Sequence, residues 1–346
     1  MTEHRVERVD SLPLILYWLS KMRLQEVIDN IWQPHPYWQG LSYGQLAVLF
    51  IAYVLYRHTH RLSGMEAWVV SHRATLEKLT SWTIRPKEAT DDRVGHMIEV
   101  LGREEEAGVR FQRQMGRHLI QAYALPTEIV RYDTTSFSVY HAAPEAGEEK
   151  GLLRFGVSKD HRRDLVQFKQ GLGSLDPAGV PLCTHTVGGQ AADDPLYLPA
   201  WREMVQTIGH THFLYVADCK AAALATRAAI AHEHGYYLFP MPMTGETPAM
   251  LRQWVLSPPV PVAEIYLPGI TDQAGKPLLL GYGFSQERSL HGTLEDGTLY
   301  TWTERCLITQ SLAHAQRQRT ALQAKLTRTT TELSQLKAKP DETLSE

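Results

Sequence analysis

Two aspartates stand where an acid is expensive. Asp133 lies inside the stretch Glu128 to Tyr140, with Val130 and Tyr132 before it and Thr134, Thr135 and Ser136 after it. Asp218 closes the apolar run Phe213 to Ala217, just ahead of an alanine-rich segment. A carboxylate in such company is costly to bury unless a cation meets it. Two strand-borne aspartates with hydroxyl or small neighbours suit a divalent metal. Mg²⁺, or Mn²⁺ in its place, takes hard oxygen ligands of this kind. A pair of such ions clamps the attacking and leaving oxygens of a displacement at phosphorus. The plainer reading is structural, with Asp133 capping a turn and Asp218 capping a helix that begins near Lys220.

Other chemistry-bearing residues form weaker patterns. Ser136 lacks the Gly-x-Ser-x-Gly frame of a nucleophile elbow. His58 and His60, like His232 and His234, miss the helical spacing of a zinc protease and read as surface or cap residues. Gly171-Leu-Gly173 has neither the third glycine nor the helix of a dinucleotide loop. Lys159, His161, Arg162 and Arg163 form a basic run that can face a phosphate backbone or simply a solvated loop. Between Ser311 and Lys339 there are six basic residues, Arg317, Lys325 and Arg328 among them, against the one acid Glu332. That segment reads as a solvated helix face or a DNA-contacting arm.

The elements that must position these residues follow from periodicity. Residues 10–124 read as helices, with Ser42 and Gln45 spaced as a capping box and Thr90-Asp91-Asp92 as another start. Met65 to Lys78 reads as one helix and Glu104 to Tyr123 as another. From Pro126 the pattern turns to strands: Glu128 to Tyr140, Leu152 to Ser158, Val166 to Leu172 and Val180 to Val187, with a turn at Asp176 to Gly179. Leu196 to Ile208 is predicted helical, Phe213 to Ala217 a strand, Ala221 to His234 a helix ended by Gly235, and Tyr236 to Met241 a strand. Residues 244–308 read as strands, with a hairpin at Asp296-Gly297. The last helix, Ser311 to Lys339, places Leu322, Leu326, Thr329, Leu333 and Leu336 in a seam able to pair with another helix.

Composition bounds the class. With 346 residues, 43% hydrophobic and 21% charged, the chain is an ordinary globular protein of two or three domains. Its net charge of −3 argues against bulk unspecific nucleic-acid binding. No apolar run reaches membrane-spanning length, and the N-terminus lacks a signal core, so a cytoplasmic location without membrane contact is expected. Cys183, Cys219 and Cys306 have no metal-ligand spacing and read as small buried side chains in a reducing compartment.

Taken in order, Val130-Arg-Tyr-Asp133-Thr-Thr-Ser136, Gly156 to Asp164 and Val216-Ala-Asp218 resemble the core of bacterial insertion-sequence transposases. The resemblance is to the insertion-sequence-four superfamily and spans most of residues 10–240, Asp91-Asp92-Arg93 included. It implies an α/β fold: an RNase H-like mixed sheet, an all-helical N-terminal domain and a β-rich insertion ending in a long helix. The domains expected are 1–125 (helical, DNA-binding), 126–243 (catalytic core), 244–310 (insertion) and 311–346 (basic helix and tail). By carry-over, Asp133 and Asp218 are the first two metal-binding catalytic carboxylates. The partners implied are DNA, as terminal inverted repeats and target, and further copies of the chain. The family's third carboxylate, in a Tyr-x-x-Arg-x-x-x-Glu arrangement, has no counterpart in the sequence. The expectation is therefore a transposase cut before that element, or a catalytically incomplete DNA-end-binding protein that inhibits or regulates transposition. The loop Gly188 to Asp194 departs from the family's wording and is assigned no role.

Overall fold

A computed structural model describes residues 6–140, 151–157, 162–271 and 275–337. Among them are eleven α-helices and eight strands, in two compact units, Met1–Pro240 and Met241–Glu346. The fold is mixed α/β, with a five-stranded sheet, a separate antiparallel sheet and a long last helix.

The first unit opens with seven helices: α1 (Leu12–Lys21), α2 (Leu24–Ile31), α3 (Tyr43–Arg57), α4 (Met65–Ser71), α5 (Arg73–Thr80), α6 (Asp91–Arg103) and α7 (Glu105–Tyr123). They close over their own core, which includes Leu12, Leu46, Leu49, Met65, Leu76 and Val94. The expected caps form. Ser42 accepts from the Gln45 amide while Gln45 reaches back to the Ser42 amide, and Thr90 accepts from the Arg93 amide. Asp29 braces the same start of α3, accepting from Gly44 N at 2.7 Å and from the Ser42 hydroxyl at 2.7 Å. The single helix expected over Met65 to Lys78 is instead two. His72 leaves helical geometry (φ −114°, ψ 16°), and its buried ring contacts the Trp68 carbonyl at 2.9 Å and Tyr56 Oη at 3.3 Å. The ladder breaks just after it, where the Ala74 and Thr75 amides donate instead to the Glu7 carboxylate, at 3.3 and 2.8 Å.

The sheet comprises β1 (Ile129–Val139), β2 (Val166–Leu175), β3 (Val180–Gly188), β4 (Leu214–Ala217) and β5 (Tyr236–Leu238). Its order is β3-β2-β1-β4-β5. β1, β2 and β3 run antiparallel by hairpins, whereas β4 and β5 lie parallel to β1. Parallel neighbours need crossovers, supplied by α8 (Tyr197–Ile208) and α9 (Leu224–His232). This is the arrangement of an RNase H-like sheet. One face packs Val130, Tyr132, Leu175, Tyr215, Trp201 and Met204 into a second core. The opposite face leaves Phe137, Leu172, Tyr236 and Leu238 exposed. At the β3 edge the Gln112 side chain of α7 both donates to Thr184 O, at 3.2 Å, and accepts from Thr184 N, so a helix occupies that exposed backbone.

Three readings need correction here. Of Leu152 to Ser158, only Arg154 pairs, in an isolated bridge with Gln167, and Ser158 lies outside the described residues. The expected helix from Ala221 is a short 3₁₀ turn, Cys219–Ala222, followed by α9. The left-handed residue that ends it is His234 (φ 60°), one before Gly235.

In the second unit, β6 (Ala263–Thr271), β7 (Pro277–Thr293) and β8 (Leu299–Ser311) form an antiparallel sheet. Gly297 (φ 84°) turns β7 into β8 at the expected hairpin. Arg288 and Glu304, paired across those strands, form a 3.0 Å ion pair with Glu304 buried. The unit is not all strand. α10 (Thr247–Leu256) carries Pro248 in its first turn, where the missing N–H does no harm. The chain continues into α11 (Leu312–Lys337). Leu322, Leu326 and Leu333 of its seam are 55–59% exposed, and the side chain of Leu336 lies outside the described part.

Candidate functional site

β1 and β4 run parallel, in register from Ile129 beside Leu214 to Tyr132 beside Ala217. One residue further on, the same register sets Asp133 next to Asp218. Adjacent strands lie about 4.8 Å apart, so the two acids begin as near neighbours. Asp133 is inside β1, not at its end, but it stands where the ladder with β4 stops. The carboxyl end of a strand is where open α/β sheets present ligand sites. Both aspartates are exposed. For Asp133 the cause is alternation: Val130, Tyr132 and Thr134 face the core, so Arg131, Asp133 and Thr135 face outward.

The two carboxylates are held differently. Asp133 Oδ1 accepts from the Thr134 amide at 2.7 Å. Asp218 Oδ1 accepts twice, from the Lys220 amide at 2.9 Å and from the Tyr197 hydroxyl at 2.6 Å. Asp218 is therefore the cap that the plain reading expected, and a strand-end acid as well. Among the described residues the second oxygen of each carboxylate has no hydrogen bond, so two hard donors stay open. Those donors fit a Mg²⁺ or Mn²⁺ ion by type. No group of three or more His, Cys, Asp or Glu suited to a metal occurs among the described residues.

Tyr197 is the residue that sequence reasoning missed. It opens α8, is fully buried, and also hydrogen-bonds Thr134. Burial first, and then its bond to the Asp218 carboxylate, holds the phenol far above its ordinary pKa, so it remains a donor. Tyr215 of β4 donates to the Tyr197 carbonyl at 3.0 Å. The strand that leads into Asp218 thus fixes the helix start whose side chain fixes Asp218. Behind them Tyr132 packs edge-on against Tyr197, with ring centroids 5.4 Å apart, and meets His185 Nδ1 at 3.4 Å. Burial depresses the His185 pKa and raises that of Tyr132. Gly171 leaves room for that phenol, since a Cβ there would stand 1.9 Å from Tyr132 Oη. That explains a glycine in a strand without any dinucleotide role.

The loop Gly188 to Asp194 has a structural part. Asp193 pairs with buried Lys169 of β2 at 2.8 Å, pinning the loop to the sheet, while Asp194 approaches Lys220 at 3.8 Å. Ser136 and Ser138 on the same inner face have buried hydroxyls without a partner. Across the ladder from Ser136 stands Lys169, whose amine is held by Asp193.

The basic candidates scatter. Lys159 and His161 lie outside the described residues. Arg162 is taken by Asp164 at 2.7 Å and by the Tyr140 hydroxyl at 2.9 Å, and this pairing drops the Asp164 pKa to about 2. Arg163 is exposed. In the second unit Arg317 and Lys325 are exposed, and Arg328 pairs with Glu332 one turn on at 2.9 Å. Cys183 is buried as expected, but Cys219 is exposed, because it follows Asp218 out of the sheet into the 3₁₀ turn. No helix among the described residues is long and apolar enough to cross a membrane.

No protein-family model matches the sequence, and no curated protein matches it. Among solved structures, the chain is similar to a piggyBac transposase in a synaptic complex with hairpin DNA, at 10% identity and a TM-score of 0.35. The alignment covers 86% of this chain and 60% of that one. A likeness at that score does not establish a shared architecture.

Proposed function

We propose that the protein is a DNA transposase of the insertion-sequence type, acting on the ends of its element by metal-dependent phosphoryl transfer. One observation carries the reading: the β1–β4 register sets Asp133 beside Asp218, each with an open carboxylate oxygen. These oxygens would hold Mg²⁺, or Mn²⁺, which when bound supplies Lewis-acid stabilisation of charge at the phosphorus. Tyr197 and the Lys220 amide fix one oxygen of Asp218 and so aim the other. The sequence resemblance supplies the substrate class, terminal repeats and target DNA. Arg163 and Arg317, exposed and cationic, are the residues offered to phosphates.

A second reading rests on a specific finding. Only two acids converge among the described residues, where the family uses three. A chain with that set would bind element ends without cutting them and would regulate transposition by occupying them.

The experiment is a gel-shift and nicking assay on DNA from the flanks of the gene's own locus, with and without Mn²⁺. We expect binding in both conditions and nicking only with metal. Asp133→Asn and Asp218→Asn should bind as the parent does and nick no faster than background. Nicking that survives Asp133→Asn sinks the assignment. Tight end binding with no nicking under any metal selects the regulatory reading.

A further inference from the structure

We propose that α11 is a self-association element that pairs antiparallel with the α11 of a second copy of this chain. The pairing is separate from the metal chemistry and needs neither cation nor DNA.

α11 is 26 residues long, and its described side chains are exposed almost throughout. Isolated helices draw little stability from propensity alone, and most helices in proteins are held by burying an apolar stripe. Here the stripe exists but is uncovered: Leu322, Leu326 and Leu333 are each more than half exposed. With Thr329 they follow the four-three-four spacing of a coiled-coil seam, and Arg319 continues it toward the N-terminus.

Charge and size select the partner and its direction. In a parallel pair each seam residue meets its own counterpart. Arg319 would then face the partner's Arg319, and Thr329 the partner's Thr329, inside the seam. Reversing one helix removes both conflicts. Leu322 then layers against the partner's Leu333, and Leu326 against the partner's Thr329, with each contact repeated by the two-fold axis. Beside that seam Lys325 comes opposite the partner's Glu332, and Glu332 opposite the partner's Lys325. These are the only charged groups on the flanking positions between Leu322 and Leu333. Glu332 has a lone pair to spare beyond its 2.9 Å bond to Arg328 on its own helix. A surface that complements itself about a dyad is what a two-fold interface requires. Arg317 and Arg328 fall outside the seam, so pairing leaves them open to solvent or phosphate.

The test is sedimentation equilibrium of the full chain without DNA over a concentration series. The parent should be in monomer–dimer equilibrium. Leu326→Asp with Leu333→Asp should weaken the dimer by at least about tenfold. The thermal transition of the two buried cores should not move, because neither leucine belongs to them. Lys325→Glu alone sets Glu against the partner's Glu332, and Glu332→Lys alone sets Lys against the partner's Lys325, so each should dimerise poorly. Mixed, the two variants should form a heterodimer of roughly parental affinity. A monomeric parent overturns the proposal. So does a dimer indifferent to the leucine changes, or a mixture that associates no better than either charge variant alone.

Discussion

Tyr197 shows how a single hydroxyl governs the candidate site. It donates to Asp218 from a fully buried position, and its raised pKa keeps the proton on the phenol. Tyr197→Phe should cost about 1 kcal/mol in folding stability, the net worth of one hydrogen bond. It should also lower Mn²⁺ affinity by about tenfold, since groups that orient a ligand are commonly worth that much. Calorimetric Mn²⁺ titration with a melting curve separates the two effects, and unchanged affinity would remove Tyr197 from the site. Asp133 and Asp218 could be read from the chain because an acid inside an apolar strand is an anomaly that needs a reason. Tyr197 could not, because a tyrosine at a helix start is unremarkable until the fold brings its hydroxyl to a strand 21 residues away. The Lys169–Asp193 pair was hidden in the same way, by its dependence on contact between a strand and a loop.

At the level of elements, the signals with local physics came through. Ser42 and Gln45 form their reciprocal cap, and Gly297 makes the hairpin turn. Ser42→Ala removes that cap and the hydroxyl that Asp29 accepts, and should cost about 1–2 kcal/mol. Urea denaturation measures it directly, and a change within ±0.3 kcal/mol or so would mean that water replaces both bonds. The misread elements were those decided by competition. The break between α4 and α5 comes where the Ala74 and Thr75 amides turn to the Glu7 carboxylate, a tertiary contact that residue periodicity does not contain. The left-handed position after α9 went to His234 although Gly235 was at hand. A Cβ on Gly235 would lie 2.6 Å from the Trp201 ring, so the glycine serves close packing and its neighbour takes the turn.

Across the whole molecule, the strand directions could be anticipated because hairpins force antiparallel neighbours and helical crossovers force parallel ones. The resemblance of the three ordered motifs then narrowed the choice of topology. The α/β core also carries a pH signature. Burial raises the pKa of Tyr132, Tyr197 and Tyr215, and pushes the Cys183 thiol up to about 12. In the unfolded chain tyrosine titrates near about 10 and cysteine near about 8.5. Below those values both states are protonated and the stabilisation is complete. As pH rises toward the folded values, the unfolded chain loses protons that the native state retains, and stability falls. We expect the melting temperature to decline from about pH 9 upward, with Cys183→Ala removing the earliest part of the decline. A flat profile to pH 11 or so would contradict the burial of these groups.

The outward face of the five-stranded sheet has one more effect. The openness that exposes Asp133 also leaves Phe137, Leu172 and Tyr236 wetted. Water around those rings gains by being released, and excluded salts such as sulfate sharpen that tendency. Exposure of that acid and dispersal in concentrated solution therefore oppose each other on one surface, and crowding is resisted only as far as the surrounding charges keep neighbouring molecules apart.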